Sequence, residues 1–205
     1  MKKVSALAVL DFDNIPTGVF AVDTILKKAP IAFVRAGTVT RGRYLVLFGG
    51  STGATAESLA EARERCAGAI LDEAFLPDVH DSLFDGVFGA KKKSPGSLLI
   101  IETETASSIV RAVEAALKGT PVQLLEIRLS DTGLSGKGVA LLAGSLPDIE
   151  AASVLAASGS GPDSLPPAGY SYRLIAAPHD VTERNIVGTT RFNEALTIEL
   201  DGEIA

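Results

Sequence analysis

The sequence has very few of the residues that form covalent cross-links and metal sites. It contains one cysteine and two histidines in 205 residues, and no tryptophan. A single cysteine excludes an internal disulfide and a multi-cysteine zinc or iron–sulfur site. The two histidines, His80 and His179, stand far apart in the sequence and are expected to be surface or helix-capping residues rather than a metal pair. We therefore expect no metal and no other cofactor.

Positive charge and long hydrophobic runs are also scarce. The formal net charge is −6, from 25 acidic and 19 basic residues. Nucleic acid is therefore not an expected partner, because phosphate contacts need clustered Lys and Arg. The apolar run near the start ends at Asp11, so it is too short for a signal peptide and far shorter than the roughly 20 residues that span a membrane. The sequence predicts a cytoplasmic protein with no membrane contact.

The sequence does contain an internal duplication. The segment AVDTILKKAP at 21–30 is matched without a gap by AVEAALKGTP at 112–121, an offset of 91 residues. Gly50-Ser51 matches Gly144-Ser145 at an offset of 94, and Leu76-Pro77-Asp78 is similar to Ala177-Pro178-His179 at an offset of 101. These offsets predict insertions of three and seven residues, the longer one in the Gly-, Ser- and Pro-rich segment 158–169. Insertions confined to loops are typical of a duplicated fold.

Each copy shows the same order of elements. A short apolar strand and a helix with one apolar face are followed by two strands around a Gly-containing turn, a second helix and a closing strand. This β-α-β-β-α-β order predicts an α+β fold made of two tandem split-βαβ modules, a variant of the ferredoxin-like arrangement. Each module is expected to be a four-stranded, largely antiparallel sheet with helices on one face.

The predicted domains are 1–90 and 97–205, joined by a basic, turn-rich linker at 91–96. The second domain includes a C-terminal tail, in which the alternation of apolar residues from Leu196 to Leu200 fits an additional strand.

One motif suggests an enzyme. The first strand ends in Asp11-Phe12-Asp13, which resembles the first motif of haloacid-dehalogenase-type phosphohydrolases, where one aspartate is a nucleophile and the other a general acid near Mg²⁺. The second copy has Glu102 and Glu104 at these places, and the later lysine and paired aspartates of that family are not found. A phosphohydrolase that uses Asp11 and Asp13 is therefore kept as an alternative. A two-domain regulatory protein that binds a small molecule between its repeats is a second alternative.

Two turns stand at equivalent places in the two copies. Residues 37–43 and residues 130–137 both join the middle strands, and both combine small residues, hydroxyls, glycine and a cation. Ordinary hairpin loops would explain both of them. The three-residue insertion falls in or beside this loop, however, so the two copies differ at one equivalent position.

Together these features resemble a bacterial microcompartment shell domain. The matching pattern is a strand, a helix ending in Leu-Lys-x-x-Pro, a strand, a Gly-containing loop, a strand, Gly-Ser, a helix, a strand and Pro-His-Asp. It extends from Ser5 to about Asn185. Two fused copies are similar to the tandem-domain shell proteins of such compartments.

The resemblance implies a structural protein without enzymatic activity. It implies a homotrimer whose six domains surround one axis, forming a pseudohexameric tile that packs with hexameric and pentameric tiles in the shell. Lys27 and Lys118 match the lysine that this family places at the tile edge. The loops between the middle strands would line a central pore for small polar or anionic metabolites. The pore-lining residues implied in this way are Thr38, Val39, Thr40, Arg41 and Gly42 in the first copy and Thr132, Gly133, Leu134, Ser135 and Gly136 in the second.

Overall fold

The computed structural model describes residues 4–93, 96–159, 167–198 and 200. The elements of the first module are β1 (Ala6–Phe12), α1 (Ile15–Lys28), β2 (Phe33–Thr38), β3 (Tyr44–Gly50), α2 (Thr52–Cys66), β4 (Ile70–Leu76) and α3 (Asp81–Val87). The second module repeats the order as β5 (Ser97–Thr103), α4 (Ala106–Gly119), β6 (Gln123–Leu129), β7 (Gly138–Gly144), α5 (Leu146–Ser158), β8 (Ser171–Ile175) and α6 (Asp180–Gly188).

Two short helices lie beyond the predicted order of elements. α3 has seven residues and α6 has nine, too few to show a clear helical periodicity in the sequence. Each begins after a histidine whose Nδ1 accepts a hydrogen bond from a backbone N–H two residues later. Ser82 donates to His80 at 3.1 Å, and Val181 donates to His179 at 3.2 Å. The two histidines are therefore helix caps, one in each module.

The additional strand expected near the C-terminus is not seen in the described part of that segment. Residues 195–198 and residue 200 have no regular structure. Leu196 and Leu200 are exposed to solvent and Ile198 between them is half-buried, so the alternating residues do not form a buried strand face.

The two sheets have the same topology. Their strand orders are β2-β3-β1-β4 and β6-β7-β5-β8, and all neighbouring strands are antiparallel. Ala6 pairs with Gly50 and Ser97 pairs with Gly144, which preserves the offsets of 91 and 94. The predicted fold class, two tandem α+β modules with four-stranded antiparallel sheets, is confirmed.

The offset of 101 near the end of each module was wrong. Leu7 pairs with Leu76 and Leu98 pairs with Ile175, so Leu76 and Ile175 are equivalent, at an offset of 99. Pro77 and Pro178, which suggested the larger offset, stand at different distances from these strands. The longer insertion therefore has five residues rather than seven.

The first turn of the first helix in each module is fixed by a local cap. The Asn14 side chain accepts a hydrogen bond from the Thr17 N–H, and the Thr105 side chain accepts one from the Ser108 N–H. Both residues are extended and directly precede their helices, as N-caps do. Asn14 and Thr105 are related by the offset of 91, so the duplication preserves the cap.

The two modules are layered so that one helix is shared. α1 and α2 cover one face of the first sheet, where Leu10 and Phe48 are buried. The opposite face carries Leu7, Val9 and Ala74, which pack in the same apolar cluster as α3 and α4. α4 thus lies between the first sheet and its own sheet. Among the described residues, no helix is both long and apolar enough to cross a bilayer.

A contact between helix and sheet has the same geometry but exchanged side chains in the two modules. A Cβ on Gly18 of α1 would lie 2.5 Å from the Tyr44 ring, and a Cβ on Gly138 of β7 would lie 2.3 Å from the Ile109 side chain. Gly18 is equivalent to Ile109, and Tyr44 is equivalent to Gly138. The large residue is on the strand in one module and on the helix in the other, which keeps the helix equally close to the sheet.

Candidate functional site

Buried polar side chains join the two modules where the first turn of α4 meets β1. Asp11, fully buried in β1, accepts hydrogen bonds at Oδ2 from the Ser107 backbone N–H at 2.8 Å and from the Ser107 hydroxyl at 2.6 Å. Its Oδ1 is buried without a hydrogen-bond partner in the described part of the chain. Burial raises the pKa of the Asp11 carboxyl above its ordinary value, because desolvation outweighs the bonds from Ser107.

A second carboxylate on the neighbouring strand binds the same helix. Asp72 accepts hydrogen bonds from the Ser108 hydroxyl at 2.6 Å, from the Thr105 hydroxyl, and from Nη1 of Arg111 at 2.8 Å. Burial alone would raise the pKa of Asp72, but Arg111 and the two hydroxyls together hold that pKa below its ordinary value. We call this contact of α4 with β1 and β4 the internal seam.

The C-terminal half of α4 continues the internal seam. Both oxygens of the buried Glu114 accept the His80 backbone N–H at 3.1 Å, and Glu114 also pairs with Lys118 at 2.9 Å. Lys118 donates a further hydrogen bond to the backbone carbonyl of Asp78. Its counterpart Lys27 pairs with Asp23 on the exposed side of α1. The tile-edge role implied for these two lysines remains a prediction.

The structure does not support the alternative of a phosphohydrolase. Asp11 is fully buried beneath α4, so neither a substrate nor a metal ion can reach it without opening the internal seam. Asp13 is exposed and accepts a hydrogen bond from its neighbour Asn14. Among the described residues, no group of three or more His, Cys, Asp or Glu side chains is placed to hold a metal ion. The two carboxylates at the end of this strand therefore have different environments, since Asp11 is buried and Asp13 is exposed to solvent.

The two loops singled out in the sequence lie against each other. Thr40 of the first loop accepts the Gly136 backbone N–H at its hydroxyl oxygen (2.8 Å) and donates the hydroxyl proton to the Ser130 carbonyl (3.2 Å). The Thr40 backbone N–H also donates to Ser130, at 3.4 Å. Arg43 donates from Nη1 to the Gly136 carbonyl at 3.4 Å. Loops that are about 95 residues apart in the sequence therefore form one surface.

The exposed part of this surface contains most of the residues implied for a pore. Arg41, Gly42, Thr132, Gly133 and Ser135 are exposed or half-buried, whereas Gly136 is buried beneath Arg43. Thr38, Val39, Thr40 and Leu134 lie beside them, exposed or half-buried. Arg41 has a left-handed backbone with φ of 67°, a conformation that non-glycine residues rarely adopt. Its side chain is exposed, so its charge faces solvent.

The loops of the two modules differ in length at equivalent positions. β2 and β3 are joined by residues 39–43, whereas β6 and β7 are joined by residues 130–137. The three additional residues of the second copy lie within this loop, as the repeat offsets predicted. Ser130 and Ser135 both have positive φ angles, of 53° and 49°, and the longer loop turns back on itself through them.

A groove of about 750 Å³ opens beside the loops, between the first sheet and β6. Its lining includes four cationic and two acidic side chains, namely Arg35, Lys91, Arg128, Arg191, Glu126 and Asp131. Lys91 pairs with Glu126, while Arg128 and Arg191 both pair with Asp131. Two more cations than anions face this space, so the surface next to the loops favours negative solutes.

Sequence reasoning missed the residues that hold the modules together. Asp72 and Arg111 belong to no motif, and Arg43 lies in the loop at 37–43 but was not predicted to join the modules, since each of the three acts on a residue from 33 to 93 positions away. The one signal available in the sequence was a chemical difference between equivalent positions of the two copies. Position 107 is Ser where its equivalent, 16, is Pro, and position 111 is Arg where its equivalent, 20, is Phe. Such differences are expected where the two repeats meet different neighbours.

Asp11→Asn is expected to make stability less sensitive to rising pH. The pKa of Asp11 is raised in the folded protein, so its contribution to stability is complete below the ordinary value of 3.8 and is lost as the pH rises through the raised value. The Asp11→Asn variant should therefore gain stability relative to the wild type as the pH rises above 3.8 and through the raised pKa of Asp11. Urea unfolding at several pH values measures this. Asp13→Asn is the exposed control, and an equal gain in both variants would contradict the prediction.

Comparison with known proteins agrees with this geometry. The family model for the BMC domain matches residues 6–79. The bacterial microcompartment shell protein PduT of Citrobacter freundii is 27% identical over 187 residues, which cover 89% of this chain and 97% of the relative.

Solved structures extend the similarity over both modules. A microcompartment protein from Desulfitobacterium hafniense superposes with a TM-score of 0.72 at 26% identity, covering 89% of this chain and 99% of that one. The fused permuted hexameric shell protein MSM0275 from the RMM microcompartment superposes with a TM-score of 0.54 at 20% identity. It covers 76% of this chain and 81% of that chain, and at this identity the likeness concerns the fold.

Proposed function

We propose that this chain is a tandem-domain shell protein of a bacterial microcompartment and that three copies close into a tile around a central pore. We propose that it assembles into oligomeric tiles together with other shell proteins, and that its place is the compartment shell. A three-fold ring of two-module chains presents six similar units around one axis. The hexameric and pentameric tiles of the same shell are the partners we propose.

The contact between the two loops is the main observation that supports the proposed pore. Thr40 and Arg43 of the first module bind Ser130 and Gly136 of the second. In a ring of similar modules, a segment that touches its own counterpart in the neighbouring module lies close to the axis. Three chains would then alternate the short loop and the long loop around the opening. The pore would have three-fold rather than six-fold lining.

The solutes that suit this opening are small and polar or anionic. The solvent-facing guanidinium of Arg41 would be repeated three times around the axis, next to the hydroxyls of Thr132 and Ser135. The groove beside the loops adds an excess of positive charge. Positive charge around a narrow opening concentrates anions and repels cations. We propose passage of metabolites rather than their conversion, so that the protein is a selective wall without catalytic activity.

The division of the chain follows from the same proposal. Residues 1–90 and 97–205 are proposed as the two shell domains, and residues 91–96 as the linker between them. Lys27 and Lys118 are proposed as contacts at the tile edge, since both lie near the end of the first helix of their module and remain partly exposed.

The mass of the purified protein tests the assembly. Light scattering is expected to give three times the 21.2 kDa of one chain, or larger sheets, and negative-stain images should show triangular or hexagonal discs with a central opening. A protein that stays monomeric at high concentration would contradict the tile.

Arg41→Glu is expected to change which ions cross the tile without dissolving it. In a trimer, each of the three positive charges around the axis becomes negative, so anion flux through reconstituted shells should fall by roughly tenfold or more. Arg65→Glu, which alters an exposed arginine on α2, is the matched control. Equal anion flux in both variants, or the loss of the trimer in Arg41→Glu alone, would argue against the pore position.

A further inference from the structure

We propose that the groove between the two modules is a binding site for a small organic phosphate. The groove has a volume of about 750 Å³ and is lined mainly by β2 and β3 of the first module, the end of α3 with the segment that follows it, and β6 of the second module. This volume is in the range of small-molecule sites. One chain supplies all of these walls, so the site itself does not depend on the trimer, and only its place beside a pore rests on the function proposed above.

The duplication shows that one wall of the groove lacks a cover that its counterpart has. Arg35 of β2 pairs with Leu47, and Glu126 of β6 pairs with Leu141, so Arg35 and Glu126 are equivalent positions. Glu126 is 7% exposed and accepts a hydrogen bond from the Thr190 hydroxyl at 3.0 Å. Arg35 is exposed, and no residue in the described part of the chain forms an ion pair or a side-chain hydrogen bond with it.

The cover is missing because the segment after the last helix takes a different path in each module. After α6, residues 190–191 bind the second sheet and its long loop, within their own module. After α3, the equivalent residues 91–92 bind β6 of the other module instead, where the Lys92 N–H donates to the Leu125 carbonyl at 3.0 Å. The first sheet is therefore left open at Arg35, and a ligand can occupy the place that the chain itself occupies on the second sheet.

The charge of the groove matches that of a phosphate monoester. Four cationic and two acidic side chains line it, which leaves an excess of two positive charges. A phosphate monoester has a charge of about −1.5 to −2 near neutral pH, and arginine binds its oxygens through paired N–H groups. The accessible cations come from both sides of the groove. Arg35 is exposed, and the side chains of Lys91 and Arg191 are 41% and 38% exposed.

Apolar side chains provide a surface for the organic part of the ligand. Leu45 and Leu47 lie on the face of the first sheet that is turned away from α1 and α2, and Val87 and Phe88 lie at the end of α3. Leu45 and Phe88 are only half-buried, so part of their surface is available for contact. A ligand with an apolar body gains affinity by covering this surface, whereas inorganic phosphate does not.

An acidic side chain of the groove competes with the ligand for one of its cations. Asp131 pairs with Arg128 at 2.7 Å and also with Arg191. Arg128 is 8% exposed, so Arg191 is the more accessible of the two. A bound phosphate must share Arg191 with the Asp131 carboxylate. Because Asp131 belongs to the loop at 130–137, the site is connected directly to one of the two loops proposed to line the pore.

Titration calorimetry with phenyl phosphate at low salt tests the site. Arg35→Glu should weaken binding by about tenfold or more, because it replaces the unpaired cation of the groove with an anion. Arg65→Glu makes the same change of charge on α2 and should leave the dissociation constant within about twofold, since salt screens distant charges. Circular dichroism checks that both variants fold. A wild type that does not bind phenyl phosphate, or equal loss in both variants, would overturn the site.

Arg41→Glu separates the groove from the exposed loops, since Arg41 does not line the groove. Loss of binding in Arg41→Glu but not in Arg35→Glu would place the anion at the loops and overturn the groove site. The titration does not require a trimer. Absence of binding would therefore leave the proposed tile intact, and a monomeric wild type that binds phenyl phosphate would leave this site intact.

Asp131→Asn tests the assignment of Arg191. Removing the competing carboxylate should tighten the binding of phenyl phosphate by about threefold or more, an effect that simple loosening of the loop would not produce. Unchanged or weaker binding would overturn the part given to Arg191.

A short series of probes tests the class of ligand. Inorganic phosphate should bind about fivefold more weakly than phenyl phosphate, because it leaves the apolar wall uncovered. Phenol, which has the ring without the charge, should show no measurable binding. Inorganic phosphate that binds as tightly as phenyl phosphate, or phenol that binds as tightly as either, would overturn the assignment of an organic phosphate.

Discussion

Replacing Ser107 with proline is expected to lower the free energy of unfolding by about 3 to 5 kcal/mol, because two hydrogen bonds to a buried carboxyl group are lost; this is equivalent to roughly 10 °C in Tm for a chain of this size. Proline has neither the N–H nor the hydroxyl that donate to Asp11. The Asp11 carboxylate would then be fully buried with no hydrogen bond from Ser107, and its other oxygen already has none within the described chain. The helix itself would tolerate the change, because proline is accepted in the first turn.

The duplication supplies the control for this variant. Pro16 occupies the equivalent place in α1, so Pro16→Ser should change the unfolding free energy of the isolated chain by no more than about 0.5 kcal/mol. Adding Asp11→Leu to Ser107→Pro should recover most of the loss, since no buried carboxyl group is then left without donors. Urea unfolding followed by far-UV circular dichroism measures all three. A double variant no more stable than Ser107→Pro would show that the loss comes from the helix and not from Asp11.

Arg111→Met is expected to destabilise the chain by about 2 to 4 kcal/mol. The Arg111 and Asp72 side chains are 13% and 16% exposed in their ion pair, so water replaces the lost guanidinium poorly. Asp72 would keep the two hydroxyl donors, Thr105 and Ser108, which is why the loss should be smaller than for Ser107→Pro. Thermal and urea unfolding at neutral pH measure it.

A double-mutant cycle separates the charge from the packing. Combining Arg111→Met with Asp72→Leu should restore at least half of the loss, because an apolar pair of similar volume replaces a half-broken ion pair. Arg65→Met removes an exposed i,i+4 pair with Glu61 and should leave the unfolding free energy nearly unchanged, because water screens such surface pairs. If Arg111→Met cost no more than Arg65→Met, the internal seam would not depend on its ion pair.

The resemblance to a shell protein did not depend on any functional motif. It depended on a repeated order of strands and helices, each encoded within a few residues by apolar periodicity, a cap or a turn. Asn14 and Thr105 illustrate this, because each fixes a helix start through a contact three residues along the chain. The same reasoning erred where the signal was weak. It aligned two prolines that are not equivalent and overlooked the short helices α3 and α6.

Asp11 is a residue whose role could not be predicted from its neighbours in the sequence. As a strand-terminal Asp-x-Asp it suggested catalysis, and the structure instead places it under a helix 96 residues further along the chain. The loops around Thr40 and Ser130 were singled out by composition, but their mutual contact was not visible in either of them. Contacts of this kind depend on which face of one module meets the other, and no single segment contains that information.

The sequence alone determined that the molecule is one module written twice, because helices, strands and caps arise from interactions between near neighbours in the chain. Only the tertiary structure decided that α4 is shared by two sheets and that α1 and the second sheet remain open. Module docking depends on the burial of Asp11 and Asp72 against donors from a distant helix, and the free energy of a buried charge is set by its surroundings in space rather than by its neighbours in the sequence.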